Sequence, residues 1–177
     1  MIKYTEVERI PIPEGVTVKL EGFTCTVKGK LGEISRSFRS NIVRVDLENK
    51  EITISASKQN KNSKAIAGTW TSLIRNMMHG VTNGYEYEMK VDYTHFPIRV
   101  SVKGKQVVIE NFLGERSARE AEILGSCQVS VKGDRITING IDREQIGNTA
   151  SNIERATKIK GFDLRVFQDG IYLLGGN

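Results

Sequence analysis

The sequence predicts an α+β protein built from two tandem copies of one unit, each an antiparallel β-sheet packed on one α-helix. The copies span 1–82 and 83–177. Three observations carry this reading. First, the chain repeats itself: Val16, Val18, Leu20 and Gly22 return as Ile98, Val100, Val102 and Gly104, 82 positions later, and Leu31-Gly32-Glu33 returns at the same offset as Leu113-Gly114-Glu115. Second, apolar and polar residues alternate before the middle of each copy, the period of a half-buried strand. Third, each copy then changes to three- and four-residue steps, the period of an amphipathic helix. A length of 177 residues with 38% hydrophobic and 27% charged residues suffices for two small cores.

The elements follow in order. Val16 to Leu20 and Cys25 to Val27 alternate as strands, with Gly22 and Phe23 as the turn between them. Gly29 and Gly32 mark the next reversal, ahead of strands from Ile42 to Leu47 and from Glu51 to Ala56. Ile66, Trp70, Leu73, Ile74, Met77 and Val81 then line one face of a helix, with Ser63 or Asn62 as its N-cap and Gly80 as its stop. The second copy gives strands Ile98 to Val102, Gln106 to Asn111, Gln128 to Val131 and Arg135 to Asn139. Its helix carries Ile146, Ala150, Ile153 and Ala156 on one face, and the run from Asp142 to Gln145 resembles a capping box. Trp70 and the Met77-Met78 pair read as packing residues.

Several function classes drop out. The longest unbroken apolar run is the four residues Ile171 to Leu174, too short to span a membrane. Glu6, Glu8, Arg9 and Glu14 stand where a secretory leader would be apolar, so a cytoplasmic protein is expected. Cys25 and Cys127 are about a hundred positions apart, which fits two reduced thiols rather than a zinc site or a disulfide framework. No phosphate-cradling glycine loop or dinucleotide fingerprint is present, and the turn from Lys28 to Glu33 is explained as a hairpin. His79 at a helix end and His95 before Pro97 read as structural. Ser55-Ala56-Ser57-Lys58 matches Ser-x-x-Lys without its companion motifs. No catalytic residue, cofactor, metal or small-molecule substrate is expected.

The cations are the informative residues. Net charge is +5, all of it in residues 1–80, while residues 81–177 hold thirteen of each sign. Lys58, Lys61 and Lys64 lie in a polar stretch leading into the first helix, where side chains and helix-terminal amides can meet phosphates. Arg116 and Arg119 follow the Leu-Gly-Glu turn of the second copy. Arg155, Lys158, Lys160 and Arg165 crowd an eleven-residue window, with Phe162, Phe167 and Tyr172 nearby. Cations interleaved with aromatics suit structured RNA; the same residues also suit an ordinary charged surface.

Resemblance separates the two. Asn76-Met77-Met78-His79-Gly80-Val81-Thr82-Asn83-Gly84-Tyr85 looks like the interdomain junction of the large-subunit ribosomal protein family numbered six in bacteria and nine in eukaryotes. Tyr93-Thr94-His95-Phe96-Pro97-Ile98 and Asn111-Phe112-Leu113-Gly114-Glu115 continue the likeness. Arg165-Val166-Phe167-Gln168-Asp169-Gly170-Ile171-Tyr172-Leu173 resembles the C-terminal signature of the archaeal and eukaryotic branch, and short ends point to an archaeal member.

The resemblance implies a non-enzymatic constituent of the large subunit that binds its rRNA near the stalk base and factor-binding region, beside neighbouring ribosomal proteins. It implies that the second domain makes much of the RNA contact. That role falls on Arg155, Lys158, Lys160, Arg165, Phe167 and Tyr172, and also on Arg116 and Arg119. Phe167 equally suits a core position, and Asp169-Gly170 reads as a turn. A free-standing tandem RNA-binding module is the other reading. Because the second half is neutral, either reading requires its charges to be segregated in space.

Overall fold

The computed structural model describes residues 5–48, 51–57 and 60–176, and the chain divides into two units, 1–84 and 85–177. In the first unit, β1 (Thr5–Pro11), β5 (Val43–Glu48) and β6 (Glu51–Ala56) form a three-stranded antiparallel sheet with β6 central. A second sheet orders β2 (Thr17–Glu21), β3 (Thr24–Lys28) and β4 (Glu33–Ser37). Helix α1 (Lys61–Thr82) packs against both sheets. Alternation explains the register: Val18 pairs with Val27 and Val27 with Ile34, so one face of the second sheet is apolar and turned inward. Ile10, Ile52, Ile54 and Ile74 are buried together with Trp70, whose ring meets Phe38 edge-on at 5.4 Å. Each such aliphatic side chain removed from water contributes roughly 1.5–3 kcal/mol. Burial also pushes the Cys25 thiol up to about 11, so it stays protonated.

The second unit repeats this plan. Strands β8 (Arg99–Lys103), β9 (Gln106–Glu110) and β10 (Arg119–Glu122) form one sheet. A four-stranded sheet runs in the order β11 (Gln128–Lys132), β12 (Arg135–Gly140), β7 (Tyr85–Asp92), β13 (Gly170–Gly176), with α2 (Arg143–Ala156) across it. Met89, Ile109, Ile136, Ile138, Ile146, Ile153 and Ile171 form its core. Cys25 and Cys127 are both free thiols. No helix among the described residues is long and apolar enough to cross a membrane.

The α+β duplication stands as expected, and four local expectations are corrected. Each unit has two sheets rather than one, because the hairpin β2–β3 and its counterpart β8–β9 pair with β4 and β10 instead of joining the other strands. The N-cap of α1 is Asn60, whose Oδ1 accepts from the Ser63 amide and hydroxyl, each at 2.8 Å. Gly80 does not stop α1: the helix continues to Thr82, and the reversal falls on Gly84, at φ +75°, where a side chain would be strained. The capping box of α2 is half made. Asp142 accepts from the Glu144 amide, but Gln145 reaches out of the helix to accept from the Ser126 amide. Strands β1, β4, β10 and β13 carry weaker signals, whereas β7 alternates cleanly from Tyr85 to Asp92; none of the five is among the expected strands.

Candidate nucleic-acid interface

The segment linking α2 to β13 is an irregular stretch tied down by short-range bonds. Asp163 turns it, its Oδ1 accepting from the Arg165 amide at 2.9 Å and its carbonyl from the Phe167 amide at 2.9 Å. Thr157, buried at the end of α2, accepts from the Ile171 amide at 3.2 Å and so joins helix to strand. Asp169 is the second anchor. It is fully buried, and it accepts from the His95 amide at 3.2 Å and pairs with the His95 ring at 3.0 Å. Asp169-Gly170 is therefore not a turn: Asp169 is a fixed anchor, and Gly170 opens β13. Burial by itself would raise the Asp169 carboxyl. Hydrogen bonds from the His95 ring and from the His95 and Thr94 amides outweigh it and hold the group below the usual carboxylate range. The other side of the His95 ring stacks on Phe167, centroids 4.4 Å apart, and Phe167 in turn meets Phe162 at 4.8 Å.

These anchors shape a concavity of about 560 Å³ walled by Arg155, Lys158, Phe167 and Tyr172, with Leu164 and Gln168 at its side. Four of the expected residues are thus brought together. Lys160 and Arg165 belong to the same segment and are exposed, but they do not line the concavity. Arg116 is exposed after the short helical turn Phe112–Gly114 and also stands apart from it. Lys61 and Lys64 occupy the first turn of α1 in the other unit, with no acidic residue beside them in that turn. Lys58 lies outside the described residues.

Arg119 is engaged within the unit. Its guanidinium forks onto Glu115, at 2.8 and 2.6 Å, and donates to the Ala156 and Lys158 carbonyls at 2.8 and 3.2 Å. It also lies over the Phe112 ring at 4.3 Å. These contacts fasten the end of α2 and hold the Lys158 backbone. The hydrogen bond from Arg119 holds the Glu115 carboxyl below its usual range.

Charge segregation is visible in the bonding. Asp142, Glu154, Asp163 and Asp169 all turn a carboxylate oxygen onto a backbone amide, Glu154 taking that of Leu173 at 3.0 Å. Arg155, Lys158, Lys160 and Arg165 have no ion pair among the described residues. In the second unit, then, four acids are hydrogen-bonded to backbone amides while four cations carry no ion pair among the described residues. Sequence reasoning missed Leu164, Gln168 and the His95–Asp169 tie. Only the cluster of aromatic residues around His95 signalled the last of these.

A sequence profile described as Ribosomal protein L6 matches residues 12–84 and 96–170, one match in each unit. The chain belongs to this family. The ribosomal protein L6 family is a structural, non-enzymatic component of the ribosome. Relatives named large ribosomal subunit protein uL6 agree along nearly the whole chain. That of Picrophilus torridus is 56% identical over 176 residues, covering 99% of this chain and 98% of its own. That of Thermoplasma acidophilum is 54% identical over 174 residues, covering 98% of each. That of Methanocella arvoryzae is 50% identical over 169 residues, covering 95% of this chain and 96% of its own. The chain is thus of the archaeal type of the L6 family, whose large subunit is cytoplasmic.

Proposed function

We propose that this protein is a constituent of the large ribosomal subunit that binds large-subunit rRNA through its second unit and stabilises the fold of that RNA. The interface comprises Arg155, Lys158, Lys160, Arg165, Phe167 and Tyr172, with Lys61 and Lys64 as a separate contact from the first unit. Arg116 is a peripheral contact. Lys58 is proposed from sequence alone. The supporting observation is the convergence of Arg155, Lys158, Phe167 and Tyr172 on one concavity, beside acids committed to backbone amides. The proposed neighbourhood, which follows from the sequence resemblance, is the stalk base and factor-binding region, with other large-subunit proteins as protein partners.

Salt dependence tests this directly. Phosphate contacts release counterions, so binding of the full chain to deproteinised Thermoplasma acidophilum large-subunit rRNA falls with salt, with a log–log slope of roughly −0.7 to −0.9 per contact. Replacing Lys158, Lys160 and Arg165 together by Ala flattens the slope by about one per true phosphate contact. An unchanged slope removes these residues from the interface. Sucrose-gradient fractionation separates this reading from a free-standing RNA-binding module: a ribosomal constituent migrates stoichiometrically with the large subunit, and a free module does not.

A further inference from the structure

Phosphate contacts account for the cations but not for the apolar walls between them. We propose that the concavity beside Phe167 and Tyr172 seats one unstacked nucleobase of the bound RNA, an inference that rests on the rRNA interface above. Its size falls within the range of sites that enclose small ligands. Both aromatic walls are fixed before any ligand arrives. The Tyr172 hydroxyl donates to the Gln168 carbonyl at 2.9 Å, and its ring lies so close to Gly170 that a Cβ there would approach it to 3.0 Å. Phe167 is held by its stack on His95, which Asp169 anchors. Tyr172 nevertheless remains 45% exposed and Leu164 63% exposed, a large apolar area left open to water.

Charge selects the occupant. Arg155 and Lys158 stand on the wall without ion pairs among the described residues; Glu154 also lines it, with a carboxylate oxygen accepting from the Leu173 amide, so the cations outnumber the acid two to one. An extruded nucleotide matches both features, a flat π face for the aromatic walls and flanking phosphates for the cations. An apolar protein segment satisfies only the first. Gln168 also lines the concavity, and an amide side chain can both donate to and accept from the polar edge of a base.

Chemical probing of the full chain on deproteinised Thermoplasma acidophilum large-subunit rRNA tests this. Hydroxyl radicals report the ribose footprint, and dimethyl sulfate and carbodiimide report the Watson–Crick edges of bases. The expected result is one unpaired base protected inside the footprint. Tyr172→Ala loses that protection and weakens binding about 5- to 150-fold while the ribose footprint persists; Tyr172→Phe keeps the protection. If Tyr172→Ala does not fold, Tyr172→Leu, which keeps apolar bulk without a π face, shows the same loss. A footprint without a protected unpaired base overturns the inference, as does protection that survives loss of the ring. A photocrosslinking residue at position 164 that captures a neighbouring protein in assembled subunits, rather than RNA, also overturns it. Absence of any ribose footprint defeats the rRNA interface itself, so the two failures are distinguishable.

Discussion

A carboxylate sealed from solvent is costly unless its oxygens are satisfied, and Asp169 satisfies both through His95. An ionised carboxylate accepts only, so the His95 Nδ1 carries the proton in this pair. Because the folded carboxyl titrates below its usual range, its stabilisation is complete above the ordinary carboxylate value of about 4 and is lost as pH falls through the lowered one. Asp169→Asn is therefore expected to cost about 1–3 kcal/mol at neutral pH. The variant should also lose less stability than the wild type between pH 5 and the acid limb. Urea denaturation across that range checks both effects, and parallel acid limbs would remove Asp169 from the account. At this scale the sequence was only partly legible. Arg155, Lys158 and Tyr172 were visible as cations and aromatics in one window. Asp169 next to a glycine has the composition of a turn, and its burial depends on His95, 74 positions away.

Secondary elements were more legible, because period and burial report the same physics. The strand from Glu51 to Ala56 ends where alternation predicts, and both helices bury the stripes that their spacing defines. Apart from β7, whose alternation over Tyr85–Asp92 is plain, failures fall where the signal is short or lies in caps. Arg119–Glu122 is four residues with one buried side chain, too few to show a period. Gly170–Gly176 is buried only at its first two residues, so alternation is lost. The end of α2 is decided by a side chain from β10, which no local rule reveals. Arg119→Ala removes charge-assisted bonds to Glu115 and to the α2 terminus, and a loss of about 1–3 kcal/mol is expected. Arg119→Lys should not restore it, since an ammonium cannot fork onto Glu115 and also reach the Ala156 carbonyl. Thermal unfolding measures the loss, and faster amide exchange at Thr157 would localise it. Equal stability of the lysine variant and the wild type would refute the forked geometry.

On the scale of the whole molecule, duplication was the most legible feature, because an offset near 80 is kept by strand order even where identity is low. Each unit encloses its own buried cluster. A fragment of residues 85–177 is accordingly expected to unfold cooperatively in urea by itself, and Ile136→Ala should destabilise it by about 2–5 kcal/mol. A broad, non-cooperative transition would show that the second unit depends on the first. Net charge was the least useful whole-molecule quantity, since a sum over 81–177 cannot register which carboxylates are turned onto amides. The two copies also close their helices differently. In the first, the Leu31 amide donates to the Val81 carbonyl at 3.0 Å; in the second, the Arg119 guanidinium takes the Ala156 and Lys158 carbonyls. A main-chain clasp survives almost any substitution at its own position, whereas a side-chain clasp can be erased by a single codon change. The two copies therefore differ in what a substitution can undo: at Arg119 the side chain is itself the clasp, whereas in the first copy the sensitive position is Gly29, where an added Cβ would press on the Val81 carbonyl at 2.7 Å.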